Sequence, residues 1–148
     1  MNRRTARAAL AWAVSAMALA ATAAGCSSSS GQAPPPPTAQ LERTSHGLSV
    51  VLTPLGARRI ALRTGQAATA PGGEVAVPYD ALVYEPSGDP AVYVATGTLT
   101  YTRHLVPVTV INGQTVYLKP GSLPAGAVVV TQGAEELLGV QNGVGEET

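Results

Sequence analysis

The chain has 148 residues carrying nine basic and nine acidic side chains, so its formal charge is zero and its length allows one modest domain with appendages. Three of the basic residues, Arg3, Arg4 and Arg7, lie at the start; setting them aside leaves six basic residues against nine acidic. A remainder with about three excess negative charges and no basic cluster excludes a nucleic-acid-binding reading, because neutralising phosphates takes several Lys or Arg on one face.

In chain order, Arg3, Arg4 and Arg7 precede an uncharged run from Ala8 to Ala24 that ends in ATAAGC. A basic start, an apolar stretch and small residues before a cleavage point predict a secretory signal peptide over residues 1–25. The run is short and alanine-rich for a membrane-spanning helix. The Arg3-Arg4 pair lacks the hydrophobic residues that usually follow a twin-arginine signal. Cys26 is the only cysteine, so no internal disulfide can form and the thiol needs another purpose. Ala23-Ala24-Gly25-Cys26 resembles a bacterial lipobox. That resemblance implies cleavage before Cys26, diacylglyceryl attachment to its sulfur with palmitate-type chains, and a lipid anchor on the extracytoplasmic side of the cell membrane. The competing reading is an ordinary signal peptide followed by a free cysteine.

Residues 26–45 contain SSSSGQAPPPPTAQ, where Ser and Gly give a flexible coil and Pro34–Pro37 a short extended piece. This segment is expected to be a disordered linker that holds a domain off the membrane. A role as a proline-rich ligand has little purpose outside the cell.

The folded part is expected over residues 46–140, with a disordered tail at 141–148. Leu48–Leu52 reads as a strand. Thr53-Pro54 supplies a helix N-cap and an N1 proline for a short helix over LGARR. Ile60–Ala68 alternates as a second strand, and Ala70–Gly73 is a turn. Glu74–Pro78 and Ala81–Glu85 are short strands, followed by the turn cluster Pro86–Pro90. Ala91–Ala95 and Thr98–Arg103 pair around Thr96-Gly97. Val106, Val108 and Val110 alternate along a half-buried strand, and Pro107, lacking an N–H, places that strand at an edge or bulge. Asn112-Gly113 between apolar runs predicts a hairpin with a type I′ turn. Ala127–Thr131 carries three consecutive valines, the pattern of a strand covered on both faces. AEELL makes a helical turn with acids near its positive end, stopping at Gly139. About eight short strands and one or two helical turns predict an all-β barrel or sandwich.

No catalytic site emerges. A Ser-His-Asp set can be assembled on paper from Ser45 or Ser122, His104, and Asp80 or Asp89, but no nucleophile elbow or oxyanion hole accompanies it. His104 fits a strand position between Tyr101 and Leu105, and His46 lies at the linker edge. With Cys26 lipidated, no residues have metal-ligand spacing, and no cofactor is implied. Glu135 and Glu136 are neighbours on a helix, where adjacent side chains diverge. Gly121, Gly126 and Gly133 fit turns rather than a phosphate loop. Tyr79, Tyr84, Tyr93, Tyr101 and Tyr117 are the mature chain's only aromatic residues. On alternating strands they suit a core, and any that share an exposed face become the candidate partner surface.

The runs VPYDALVYEPSGDPAVYV, LVPVTVINGQTVYL and PGSLPAGAVVVTQGAEELLGV, in that order, resemble the C-terminal membrane-proximal domain of periplasmic adaptor subunits. These are the membrane fusion proteins of HlyD/RND-type efflux systems. The earlier LTPLGARRIALRTGQA is similar to the segment through which such chains first enter this domain. The resemblance covers roughly Val50 to Val140. In full adaptors a helical hairpin, a lipoyl domain and much of a β-barrel separate the entry segment from the next strand; here about seven residues, Ala67–Gly73, stand in their place. The resemblance therefore implies a non-catalytic, membrane-anchored lipoprotein that docks to or assists an envelope transport or efflux protein, without the parts that bridge to an outer-membrane channel. An envelope module that binds glycan or peptidoglycan is the alternative, and an envelope hydrolase a third.

Overall fold

The computed structural model describes residues 37–124 and 126–144. The signal peptide, Cys26, the Ser/Pro-rich stretch and the last four residues lie outside them. Among the described residues, eleven strands and two short α-helices follow the order β1 (Ala39–Thr44), β2 (Gly47–Leu52), α1 (Pro54–Arg59), β3 (Arg63–Gln66), β4 (Ala68–Thr69), β5 (Val75–Pro78), β6 (Val83–Tyr84), β7 (Pro90–Gly97), β8 (Thr100–Leu105), β9 (Val108–Asn112), β10 (Thr115–Leu118), β11 (Val128–Gln132) and α2 (Ala134–Gln141). The protein is all-β, as expected, and it is the sandwich rather than the barrel. One sheet runs β1-β2-β8-β7-β11-β3 with β6 added to β7, the other runs β4-β5-β10-β9, and both keep open edges.

Three layers result. Val92, Val94 and Val129 of the larger sheet meet Val77, Val116 and Leu118 of the smaller one in a first apolar core. On the far face of the larger sheet, Val50, Tyr93, Tyr101 and Val130 pack against Ala134 and Leu137 of α2, with Ala57 and Ile60 from the α1 end beside them. Strands β7 and β11 are thus buried on both sides. Successive residues of a strand point to opposite faces, so Val129 enters one core and Val130 the other. The three-valine run has the double coverage read from it.

Several expectations change. Strand β1 occupies Ala39–Thr44, inside the segment expected to be a disordered linker, and pairs with β2 from Ala39↔Leu52 to Thr44↔Gly47. Four of its six residues are polar and four are exposed, so composition alone resembles a tether. The strand is held instead by backbone pairing and by a hydroxyl chain: Thr44 Oγ1 to Ser49 Oγ at 3.0 Å, then to Thr102 Oγ1 at 2.7 Å, then to Thr96 Oγ1 at 3.0 Å. The Ile60–Ala68 strand starts late, at Arg63. Ile60–Leu62 instead close α1 in a Schellman motif: the N–H groups of Ala61 and Leu62 donate to the carbonyls of Arg58 and Ala57, with Ala61 at φ +48°.

The β7–β8 turn is Thr98-Leu99, not Thr96-Gly97, because Gly97 pairs with Thr100. The β9–β10 hairpin exists, yet its loop is Gly113-Gln114: Asn112 pairs with Thr115, and of the two loop residues only Gly113 has positive φ. Glycine alone in that conformation at the first loop position is the type II′ pattern rather than I′. Strand β9 is an edge, as Pro107 required, but Val110 and Ile111 are exposed rather than half-buried in alternation.

Helix α2 continues past Gly139 to Gln141, and Gly143 at φ +74° ends it. The N–H groups of Gly143 and Val144 donate to Val140 and Gly139, a second Schellman closure that orders residues expected to fray.

Two glycines in helices have opposite surroundings. A Cβ on Gly56 would collide with the Thr38 carbonyl oxygen, which already accepts from Thr53 N and Oγ1. A Cβ on Gly139 would meet only Val144 Cβ at 3.8 Å, ordinary contact. Gly56→Ala is expected to lower stability by about 1–3 kcal/mol through that backbone clash. Gly139→Ala is expected to raise it by about 0.5–1 kcal/mol by removing a helix-interior glycine. Denaturant unfolding of the two variants checks both signs.

Candidate functional site

The five tyrosines separate into three environments. Tyr93 is 0% exposed and Tyr101 is 5% exposed, both in the helix-side core. Tyr117 is half-buried on β10. Tyr79 and Tyr84 are 43% and 52% exposed. The expected five-tyrosine surface is therefore corrected to two. The reason is strand parity: residues 93 and 101 lie on the face of the larger sheet that α2 covers, a layer that the period-2 pattern does not announce.

Tyr93 and Tyr101 do structural work. Burial raises both phenols above their ordinary value, well above it at Tyr93, where the Arg103 charge opposes the shift and Glu85 adds to it. The Tyr93 hydroxyl donates to Gln141 Oε1 at 2.6 Å, tying β7 to the last turn of α2. Arg103 Nε stands 2.8 Å from Glu85 Oε1, linking β8 to the segment after β6.

Tyr79 and Tyr84 share a solvent-open groove of about 590 Å³ with Asp80, Gln132, Glu135 and Glu136. Its walls come from two places. A 3₁₀ turn at Tyr79–Ala81, entered through Pro78 where β5 ends, leads into β6 and supplies both tyrosines and Asp80. The end of β11 and the first turn of α2 supply Gln132 and the two glutamates. Gly133 joins the latter two in the left-handed region, φ +92°, and any Cβ there would stand 2.9 Å from Ile60 Cδ1. Glycine is required at this corner both by conformation and by space. Glu135 and Glu136 are exposed in the first turn, as expected of acids near a helix's positive end. They nonetheless line the same groove. What sequence reasoning missed is that groove: nothing in spacing alone brings residues 79–84 beside 132–136.

The paper triad does not assemble. Asp89 Oδ2 accepts from Ser87 Oγ at 2.8 Å, and Ser122 Oγ donates to Lys119 O at 2.6 Å. Ser45 lies in the β1–β2 turn, and Asp80 in the 3₁₀ turn at the groove. Among the described residues, no hydrogen bond joins His104 to any of them, and no group of three or more His, Cys, Asp or Glu is placed to hold a metal. The buried hydroxyls Ser49 and Thr102 bond to each other and to neighbouring hydroxyls, not to a base.

No protein-family model, curated protein or solved structure matches the chain.

His104 is half-buried on β8, and burial first, then the charge of His46, lowers its pKa from the ordinary 6.5. A base whose folded pKa is depressed binds fewer protons folded than unfolded as pH falls through 6.5. Its contribution to stability is complete above that value and declines below it, down to the folded pKa. Unfolding midpoints are expected to fall from pH 7 toward pH 5, and His104→Gln is expected to flatten that slope. Separately, Tyr93→Phe keeps the packing but strands the Gln141 acceptor, and is expected to cost about 0.5–1.5 kcal/mol in the same assay.

Proposed function

We propose that this protein is an exported lipoprotein, anchored through Cys26, whose β domain is a non-catalytic docking module for a membrane or envelope protein partner. The observation that carries the reading is the Tyr79–Tyr84 groove. It is open, and it presents the two most exposed aromatic side chains among the described residues. Exposed tyrosines beside polar groups are what protein-contact surfaces favour, since such rings bury large area with little loss of side-chain freedom.

Two further observations support the adaptor-like origin. The segment Ala67–Gly73, which replaces the long insertion of full adaptors, sits in a tight antiparallel connection: Ala68 pairs with Ala76 and Thr69 with Val75. Chain ends that are adjacent strands are where a domain is inserted or removed at small entropic cost. In addition, β3, from the segment that resembles the adaptor entry, pairs with the last strand, β11. Entry and exit segments thus form one sheet edge without needing the missing parts.

The anchor sets the geometry of docking. Strand β1 begins thirteen residues after Cys26, so a fully extended chain carries it no farther than about 45 Å from the lipid. A partner must therefore reside in the membrane or close above it.

Two measurements test the reading. Cys26→Ala is expected to move the protein from the membrane fraction to the soluble envelope or medium, and labelled fatty acid is expected to enter the wild type alone; wild type that takes up no label overturns the anchor. A photo-crosslinking residue at position 84, in living cells, is expected to capture a discrete protein that the same residue at exposed Val110 does not. Crosslinks to cell-wall glycan alone, or to nothing, overturn protein docking.

A further inference from the structure

Both asparagines among the described residues precede a glycine, as Asn112-Gly113 and Asn142-Gly143. We propose that Asn112 is a site of spontaneous, age-dependent modification, hydrolysed by water to aspartate and isoaspartate, and that the fold shields Asn142 from the same chemistry. The inference is independent of the docking reading above.

The reaction is internal to the chain. The Gly113 backbone nitrogen gives up its proton to solvent and attacks the side-chain carbonyl carbon, Cγ, of Asn112. A bond forms between that nitrogen and Cγ, the Cγ–Nδ2 bond breaks, and Nδ2 leaves as ammonia. The five-membered imide takes up one water and opens at either carbonyl, giving aspartate or isoaspartate. Nothing is oxidised or reduced: an amide and water become an acid and ammonia. Glycine in the second position favours closure, because no Cβ crowds the approaching atoms. Two features of the folded chain then set the rate: whether the attacking N–H is free, and whether the backbone around it can turn.

The two sites differ in both. Asn112 and Gly113 are exposed, and Gly113 opens the two-residue loop of the β9–β10 hairpin. Among the described residues, no backbone carbonyl accepts from the Gly113 N–H. Only the Asn112–Thr115 pair has to open, at the loop end of an edge strand, and such end pairs fray at small free energy. Asn142 instead closes α2. The N–H groups of Asn142, Gly143 and Val144 donate to Leu138 at 3.0 Å, Val140 at 3.2 Å and Gly139 at 2.9 Å. The nitrogen that would attack there is already committed, and turning it undoes the helix end. Releasing one such hydrogen bond first slows the step by about threefold to tenfold.

The product changes one strand. β9, VTVIN, carries no charge, so either acid adds one where none stood. Isoaspartate also routes the main chain through Cβ, which lengthens the hairpin connection by one atom and disturbs the Asn112–Thr115 pair. β10 is held on its other side by β5, with Val116 and Leu118 in the core, so the disturbance is confined to β9.

The test uses the full chain, produced with its leader, purified in detergent and incubated folded at mildly alkaline pH, with peptide mapping by mass spectrometry as the readout. Cleavage after glutamate separates the two asparagines, since Glu135 and Glu136 lie between them. Aspartate and isoaspartate are expected at position 112, accumulating at least about threefold to tenfold faster than at position 142. Hydrogen exchange of the β9 amides is expected to quicken in the aged protein, and to stay constant in Asn112→Gln, whose longer side chain closes the ring far more slowly. In urea, where both glycine N–H groups face solvent, the two rates are expected to converge. No conversion at 112 in the folded chain, conversion at 142 that matches or exceeds it there, or a difference that persists in urea would overturn the inference.

Discussion

The structure depends on the double burial of β7 and β11. Val129 and Val130 are both fully buried, one in each apolar core, and Val92 and Tyr93 repeat the arrangement one strand away. Fully burying a side chain of this size stabilises by roughly 1.5–3 kcal/mol, so these two strands bind both outer layers to a single sheet. The smaller sheet packs on one of their faces, and α2 packs on the other beside β2, β8 and the end of α1. Because β11 is also the strand that leads into α2, its placement decides where the helix begins, and therefore where Glu135 and Glu136 stand.

The same logic explains why some elements were legible in the sequence and others were not. Val128–Val130 reads as doubly covered because apolar residues at consecutive strand positions have no other use. Thr53-Pro54 reads as a helix start because cap chemistry is local: the Thr53 hydroxyl accepts from Gly56 N at 3.1 Å. Strand β1 was illegible because its sequence, AQLERT, offers only Ala39 and Leu41 as alternating apolar residues beside a Ser/Pro-rich stretch. It is ordered by long-range pairing with β2 and by hydroxyls on Ser49 and Thr102, more than fifty residues apart. Turn registers were misplaced by one or two residues where glycine marks the turn but does not say which loop position it takes. The Gly113 loop and the Gly143 helix end both show this.

The candidate site was half legible. All five tyrosines were in view as a possible surface, yet strand position alone did not separate Tyr79 and Tyr84 from Tyr93 and Tyr101. That distinction needs the third layer, and the third layer is α2, which looked in sequence like a single helical turn. Its extra turn brings Gln141 to the Tyr93 hydroxyl and closes the core over both inner tyrosines. The groove acids were noticed for a different reason, as a helix start, and both descriptions hold at once. Acids that stabilise the first turn of a short helix cost nothing extra to display beside an open cleft.

That coincidence has a physical origin at Gly133. A left-handed residue turns the chain sharply as it leaves β11, so the helix starts directly at the sheet end instead of after a loop. Ile60 and Leu62, from the closure of α1, press against that corner and leave no room for a side chain. The groove's acidic wall is therefore set by packing on the helix face, while its aromatic wall is set by the Pro78 entry to the 3₁₀ turn at the end of the smaller sheet. The aromatic wall leaves the smaller sheet at Tyr79 and joins the larger one at Tyr84 on β6, beside the end of β11 that leads into the acidic wall. Both walls are built by packed elements, so a segment docking there under the proposed reading would meet preformed walls, and most of the cost of ordering would fall on the partner.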